Sequence, residues 1–140
     1  MEIFTTQARL ENLDSVNDFI HAQLESFSIP TKTLNMLDLA VEELYVNICH
    51  YAYPPLVGIV EIASEVTENP LKIKIRFSDE GIPFDPLKKE DPDITATAEK
   101  RKIGGLGIFL TKKIMDSVVY KHEDGKNILT IEKTLLEEKS

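Results

Sequence analysis

The sequence has little that would fasten it from outside. A single cysteine, Cys49, stands in 140 residues, so no disulfide framework exists. One thiol inside an apolar run suits a reducing compartment, and a cytoplasmic protein is expected. The uninterrupted apolar runs are only a few residues long, so no segment is expected to span a membrane. The opening stretch MEIFTTQARLENLDS lacks a basic region followed by an apolar core, and it does not read as a secretion signal. Internal repeats and low-complexity tracts are missing. An excess of basic residues is missing too: Lys and Arg number 16 against 24 Asp and Glu, a net charge of −8. A surface this acidic repels phosphate backbones, which argues against direct nucleic-acid binding. What remains is 42% hydrophobic and 29% charged, enough for a real core. One domain over residues 1–140 is expected, burying roughly two-thirds of the surface its unfolded chain exposes.

Periodicity supplies the elements. Glu2 to Ala8 alternates weakly and predicts a short edge strand. Asp14 to Phe27 carries Val16, Phe19, Ile20, Leu24 and Phe27 at helical spacing. Ser28-Ile29-Pro30 breaks that helix, and a second starts with Thr31 as N-cap. Its stripe is Leu34, Leu37, Val41, Leu44 and Ile48, and Pro54-Pro55 stops it. Val57 to Val66 and Leu71 to Phe77 predict two strands around a turn at Glu68-Asn69-Pro70. In the second, Leu71, Ile73, Ile75 and Phe77 alternate with Lys72, Lys74 and Arg76, giving one dry and one wet face. Ser78 to Lys102 has no period and holds three prolines and one glycine. A stretch this long in a compact domain predicts a functional loop, with a lid at about residues 80–103. Gly104-Gly105-Leu106-Gly107 opens a third helix over Ile108 to Asp116. Val118 to Lys121 and Asn127 to Leu135 form a closing hairpin around Glu123-Asp124-Gly125-Lys126. Few helices and paired strands predict an α/β two-layer sandwich, with a mixed, mostly antiparallel sheet covered on one face by helices.

Three constellations can carry chemistry. Glu43 and Asn47 are four residues apart on the second helix, and His50 falls on the same face at the border of the core. An amide oxygen is a hard ligand suited to Mg²⁺, which takes few protein ligands and keeps waters and phosphate oxygens. A carboxylate beside it can orient or deprotonate a hydroxyl. Alone, the pair is equally the pattern of a solvated helix face. Asp79 stands where a strand ends, a position from which a carboxylate can accept a hydrogen bond from an exocyclic amine. Gly81, without a side chain, lets a flat base approach the backbone. Asp, Gly and Pro also form ordinary turns for local reasons. Finally, Gly104 to Gly107 gives a helix start whose free amides can cradle phosphate. It fits neither the phosphate loop ending in Gly-Lys-Ser/Thr nor the dinucleotide fingerprint. Arg101, Lys102, Lys112 and Lys113 flank it as cations or as solvated surface residues.

The order of these signals resembles the N, G1 and G2 boxes of the ATPase superfamily that includes gyrase, heat-shock chaperones, mismatch-repair proteins and sensor histidine kinases. The stretches LAVEELYVNICHYAYPP, FSDEGIPFDP and IGGLGIFLTKKIMDSVVY look like its serine-kinase and anti-sigma branch, and the resemblance covers essentially the whole chain. It implies the Bergerat-type ATP-binding fold, with ATP and Mg²⁺ as ligands. It implies that Asn47 holds Mg²⁺ and that Glu43 is the general base for an acceptor serine. Glu42, about 100° away around the helix, is the weaker candidate. By the same resemblance Asp79 bonds the adenine amine with Gly81 beneath the base. Gly105 and Gly107, with Gly104 and Leu106 beside them, hold phosphate. Ile48, Ile82 and Ile108 form apolar walls, and His50 lies near the nucleotide. Relatives often carry a Thr on a late strand near the adenine, and Thr130 is the candidate here, about two residues off.

The function implied is an ATP-dependent serine protein kinase that is also an anti-sigma factor. It would sequester a sigma factor and phosphorylate a small anti-anti-sigma antagonist, and a homodimer is expected from the family. Three other readings remain, one of them an unrelated structural α/β domain in which the three boxes coincide by chance. A partner-switch module would use ATP only as a conformational ligand. The catalytic domain of a sensor histidine kinase would need a phosphoacceptor His on an upstream helical hairpin, where His21 reads as a surface histidine.

Overall fold

A computed structural model describes residues 1–51, 58–83, 85, 87 and 105–136, with Tyr51 and residues 105–107 as backbone. Among the described residues five strands and three helices follow in the order β1 (Glu2–Gln7), α1 (Leu13–Ala22), α2 (Thr31–Tyr51), β2 (Ile59–Thr67), β3 (Leu71–Asp79), α3 (Gly105–Ile114), β4 (Ser117–Glu123) and β5 (Lys126–Leu136). A turn of 3-10 helix at Leu10–Asn12 leads into α1. The strands form one sheet in the order β1-β2-β3-β5-β4. The α/β two-layer architecture agrees with the sequence pattern. The sheet is not mixed, however: each neighbouring pair is antiparallel. Parallel pairing needs a long crossover between neighbours. Here β2–β3 and β4–β5 are tight hairpins, and the long connection from β3 to α3 returns the chain to antiparallel partners.

Alternation decides which face is dry. Leu71, Ile73, Ile75 and Phe77 of β3 meet Leu136, Lys133, Ile131 and Leu129 of β5 in register. Apart from Lys133, these residues and Val60 and Ile62 of β2 join one core with Val16 and Ile20 of α1 and Leu37, Val41 and Leu44 of α2. The predicted stripe of α2 is therefore its core face, and Ala40 and Tyr45 widen it. The other face of the sheet carries Thr5, Glu61, Ser78, Ile128 and Lys121 in one cross-strand row, and no helix among the described residues packs on it. Element ends differ slightly from the sequence pattern. Helix α2 opens on the carbonyl of Pro30, which accepts from the Leu34 N–H at 3.0 Å. Pro30 is thus the flanking residue and Thr31 the first helical one. The β4–β5 turn has Asp124 and Gly125 at φ 54° and 76°, the doubly left-handed backbone of a type I′ hairpin.

Two side-chain ties hold the helices in place. His21 and Asp38 pair at 2.6 Å between α1 and α2, so His21 is partnered rather than simply solvated. Tyr45 is wholly buried, and its hydroxyl donates to the carbonyls of Gln7 (3.0 Å) and Arg9 (2.7 Å), pinning α2 to the chain leaving β1. Burial pushes its phenol well above the ordinary tyrosine range, with the neighbouring Cys49 adding to it. Replacing Tyr45 by Phe removes this tie while both carbonyls keep the Arg9 and Asn12 donors, and the expected loss is about 0.5–1.5 kcal/mol in denaturant unfolding. An unchanged midpoint would show that water already serves those carbonyls.

Candidate functional site

The candidate residues lie in the C-terminal half of α2 and at the end of β3. Asn47 is 7% exposed, and its Nδ2 is buried without a hydrogen-bond partner among the described residues. Glu43, one turn earlier, is half-buried. Loss of hydration raises its carboxyl above the ordinary glutamate range, and the charge of Glu42 raises it further. Glu42 itself is exposed, as its angle on the helix predicts. His50 lies at the exposed margin of the same face. The helix thus presents a carboxylic acid that is harder to ionise than usual and a buried amide with a free valence. A carboxamide turns over about its terminal bond, so the pocket holding Nδ2 can equally present Oδ1 to a cation.

Asp79 ends β3 in the dry phase of the strand, after Phe77, and is 5% exposed. The Gly81 N–H donates to its Oδ1 at 2.9 Å and the Asn127 Nδ2 donates to the same oxygen at 2.9 Å. Burial raises its carboxyl above the ordinary aspartate range; the Asn127 and Gly81 donors and the nearby His122 oppose that rise. Asn127 also donates to the carbonyl of Ile82 at 3.0 Å and accepts from the Tyr120 hydroxyl at 2.5 Å. One cross-strand row, Val60, Asp79, Asn127 and His122, carries this network.

The remaining expected residues are placed as follows. Gly105 and Gly107, with Leu106, form the first turn of α3 rather than a loop before it, and α3 packs on α2. The first four amides of a helix lack intrahelical acceptors, so a turn of this kind can offer donors to a ligand. Ile108 and Ile48 belong to the core, while Ile82 is 61% exposed. Gly104, Arg101, Lys102 and most of the lid at 80–103 lie outside the described residues. Lys112 and Lys113 are exposed, the latter over the Phe109 ring. Thr130 does not face Asp79. It is out of phase with Leu129 and Ile131 and pairs with Arg76 and Val119 on the uncovered face. Asn127, which the motifs did not single out, takes the place beside Asp79. Its signal was present: it is a polar residue in the dry phase of β5, opposite a carboxylate in the dry phase of β3.

A cavity of about 410 Å³ opens at this end of the sheet, but Thr5, Glu61 and Ser78 in its wall project from the uncovered face, and neither Glu43 nor Asn47 lines it. It is separate from the cluster on α2. Among the described residues no helix is long and apolar enough to cross a membrane. Nor does any group of three or more His, Cys, Asp or Glu gather there to hold a metal.

Residues 6–133 match the model of the histidine kinase-like ATPase domain. Among curated proteins the chain is similar to the serine-protein kinase RsbW of Bacillus thuringiensis (strain Al Hakam), 32% identical over a stretch covering 66% of this chain and 59% of that protein. The match therefore spans less than two-thirds of that relative's length. Two solved structures share the fold. The blue-light activated histidine kinase of Erythrobacter litoralis EL346 superposes with a TM-score of 0.56 at 18% identity, covering 76% of this chain and 32% of that one. Its separate histidine kinase domain gives 0.54 at 17% identity, covering 90% and 60%.

Proposed function

We propose, from the premise that this chain belongs to the histidine kinase-like ATPase domain family, that it is an ATP-dependent serine protein kinase and anti-sigma regulator. The observation that carries the reading is the buried, unpartnered amide of Asn47 one helical turn from the half-buried Glu43. A cation would take the amide oxygen; the orphaned NH₂, which costs about 1–3 kcal/mol, is relieved only by an acceptor such as a phosphate oxygen. The likeness to serine-protein kinase RsbW supports the choice of a protein serine as acceptor.

In this reading Asp79 accepts from the adenine amine, with Gly81 beneath the base. The first-turn amides of α3, at Gly105 and Gly107, hold the phosphates together with Gly104. Asn47 holds Mg²⁺, which when bound neutralises charge on the phosphate oxygens. Glu43 orients the serine hydroxyl and takes its proton as the oxygen bonds to the γ-phosphorus and ADP leaves. His50 lies at the nucleotide's margin. The protein works as one domain over residues 1–140 in the cytoplasm, with a lid at about 80–103. It forms a homodimer that sequesters a sigma factor and phosphorylates a small anti-anti-sigma antagonist.

Asn47→Leu tests the metal role. Leu fills the same volume without an orphaned donor, so the nucleotide-free variant is expected to be about 1 kcal/mol more stable than wild type. The same variant is expected to lose the gain in ATP affinity that Mg²⁺ gives the wild type. Titrations with Mg²⁺ and with a chelator measure both. An equal Mg²⁺ gain in the variant would remove Asn47 from the metal site.

A further inference from the structure

Tyr120 and Asn127 have no role in the reading above, yet they surround its base-recognition carboxylate. The carboxamide of Asn127 is the hub. Its Nδ2 faces three acceptors: Asp79 Oδ1 at 2.9 Å, the Ile82 carbonyl at 3.0 Å and the Gly81 carbonyl at 3.5 Å. Its Oδ1 takes the Tyr120 hydroxyl at 2.5 Å. Turning the amide over would set its oxygen against a carboxylate and two carbonyls, so only one orientation satisfies the network.

That orientation has a consequence for Asp79. Both the Asn127 amide and the Gly81 N–H donate to Oδ1. A proton on Oδ1 would place donor against donor, so the network keeps Oδ1 an acceptor, opposes the protonation that burial favours and leaves Oδ2 to meet a ligand. An acceptor-only oxygen is complementary to the exocyclic amine of adenine and repels the exocyclic carbonyl of guanine. The same amide ties the Gly81 and Ile82 carbonyls to β5, which sets the height of the backbone on which a base would lie.

Resting on the ATP site proposed above, we infer that Asn127, oriented by Tyr120, is the specificity-determining residue of the base pocket. It positions Asp79 as an acceptor and so selects adenine nucleotides over guanine nucleotides. A purely structural clamp would act differently. It would weaken both nucleotides together and leave their ratio alone.

The test measures ATP and GTP affinities, with Mg²⁺, of the full chain and of Asn127→Leu and Tyr120→Phe, with thermal melting of each. Wild type is expected to prefer ATP by at least about tenfold, the worth of one well-placed hydrogen bond in a buried site. Asn127→Leu is expected to cut that ratio by about tenfold, and Tyr120→Phe by about threefold in the same direction. An unchanged ratio in folded variants overturns the inference while the ATP site stands. Should Asn127→Leu fail to fold, Tyr120→Phe decides alone, since it removes one hydroxyl from a half-buried ring. A wild type that binds neither nucleotide overturns the ATP site, and this inference with it.

Discussion

Asp79→Asn is expected to weaken ATP binding by about ten- to a hundredfold, the equivalent of one buried unsatisfied pair at about 1–3 kcal/mol. The size follows from what the amide would face. Asp79 Oδ1 already accepts from the Gly81 N–H and the Asn127 Nδ2. An amide at residue 79 keeps those two bonds only by leaving its oxygen where Oδ1 now is. Its NH₂ then points where Oδ2 was, and a donor meets the adenine amine. Turning it over to serve the adenine instead sets its NH₂ against two protein donors. Neither orientation serves both sides. The Asn127 amide cannot compensate, because its own oxygen is held by Tyr120. Titration with a fluorescent ATP analogue measures the effect, and binding at wild-type strength would remove Asp79 from the base site.

The same substitution has a signature in the nucleotide-free protein. Burial raises the Asp79 carboxyl above its ordinary value, with Asn127, Gly81 and His122 opposing only in part. The folded protein therefore holds a proton on Asp79 at pH values where the unfolded chain has lost it. The sign follows from linkage: the native state binds more protons in that window, so stability falls as pH rises through it. The window runs upward from the ordinary aspartate value to the raised native one. Asp79→Asn removes this contribution, and its unfolding free energy is expected to be flatter than that of wild type there. The wild-type slope is the cost of keeping an ion in a dry position, a burden that a bound amine relieves.

Much of the scaffold was legible in the sequence because burial there follows period. The alternation from Leu71 to Phe77 fixed the dry face of β3, and continuing it two residues places Asp79 inward. The Leu37, Val41, Leu44 and Ile48 stripe oriented α2, which turns Asn47 into the protein and leaves Glu42 outside. Two features were not readable by the same route. That all strand pairings are antiparallel depends on β5 inserting beside β3, a long-range choice that no local pattern encodes. The resemblance points by residue type to a threonine near the adenine, whereas strand phase identifies the neighbour of Asp79. Thr130 sits among the wet positions of β5, and Asn127, three residues earlier, is dry. The tie made by Tyr45 is hidden for a related reason: its partners are backbone carbonyls of Gln7 and Arg9, which carry no side-chain signature.

Glu43→Gln carries the largest expected effect and separates a kinase from a domain that merely binds nucleotide. Glu43 sits one helical turn before Asn47, so a metal on the amide and a hydroxyl on the carboxylate would share one space. Loss of hydration, with the charge of Glu42 adding to it, raises its carboxyl and makes the ionised form a stronger base than an ordinary glutamate. Gln keeps the size and polarity but takes no proton. Phosphate transfer from labelled ATP to a small antagonist protein bearing the acceptor serine is expected to fall by about 10²–10⁴-fold. ATP affinity is expected to hold, because Asn47, Asp79 and the first turn of α3 are untouched. Folding is expected to hold or improve, since a half-buried carboxyl with a raised titration costs the native state stability as pH rises through its window, and the amide does not titrate. The pH profile supplies the sharper mark. Wild-type transfer is expected to rise with pH through the raised Glu43 titration and then level, and the residual rate of the variant to lack that limb. A variant that transfers at the wild-type rate would make Glu43 a bystander. A wild type that binds ATP yet transfers none to any serine-bearing antagonist would leave nucleotide binding as a switch without chemistry.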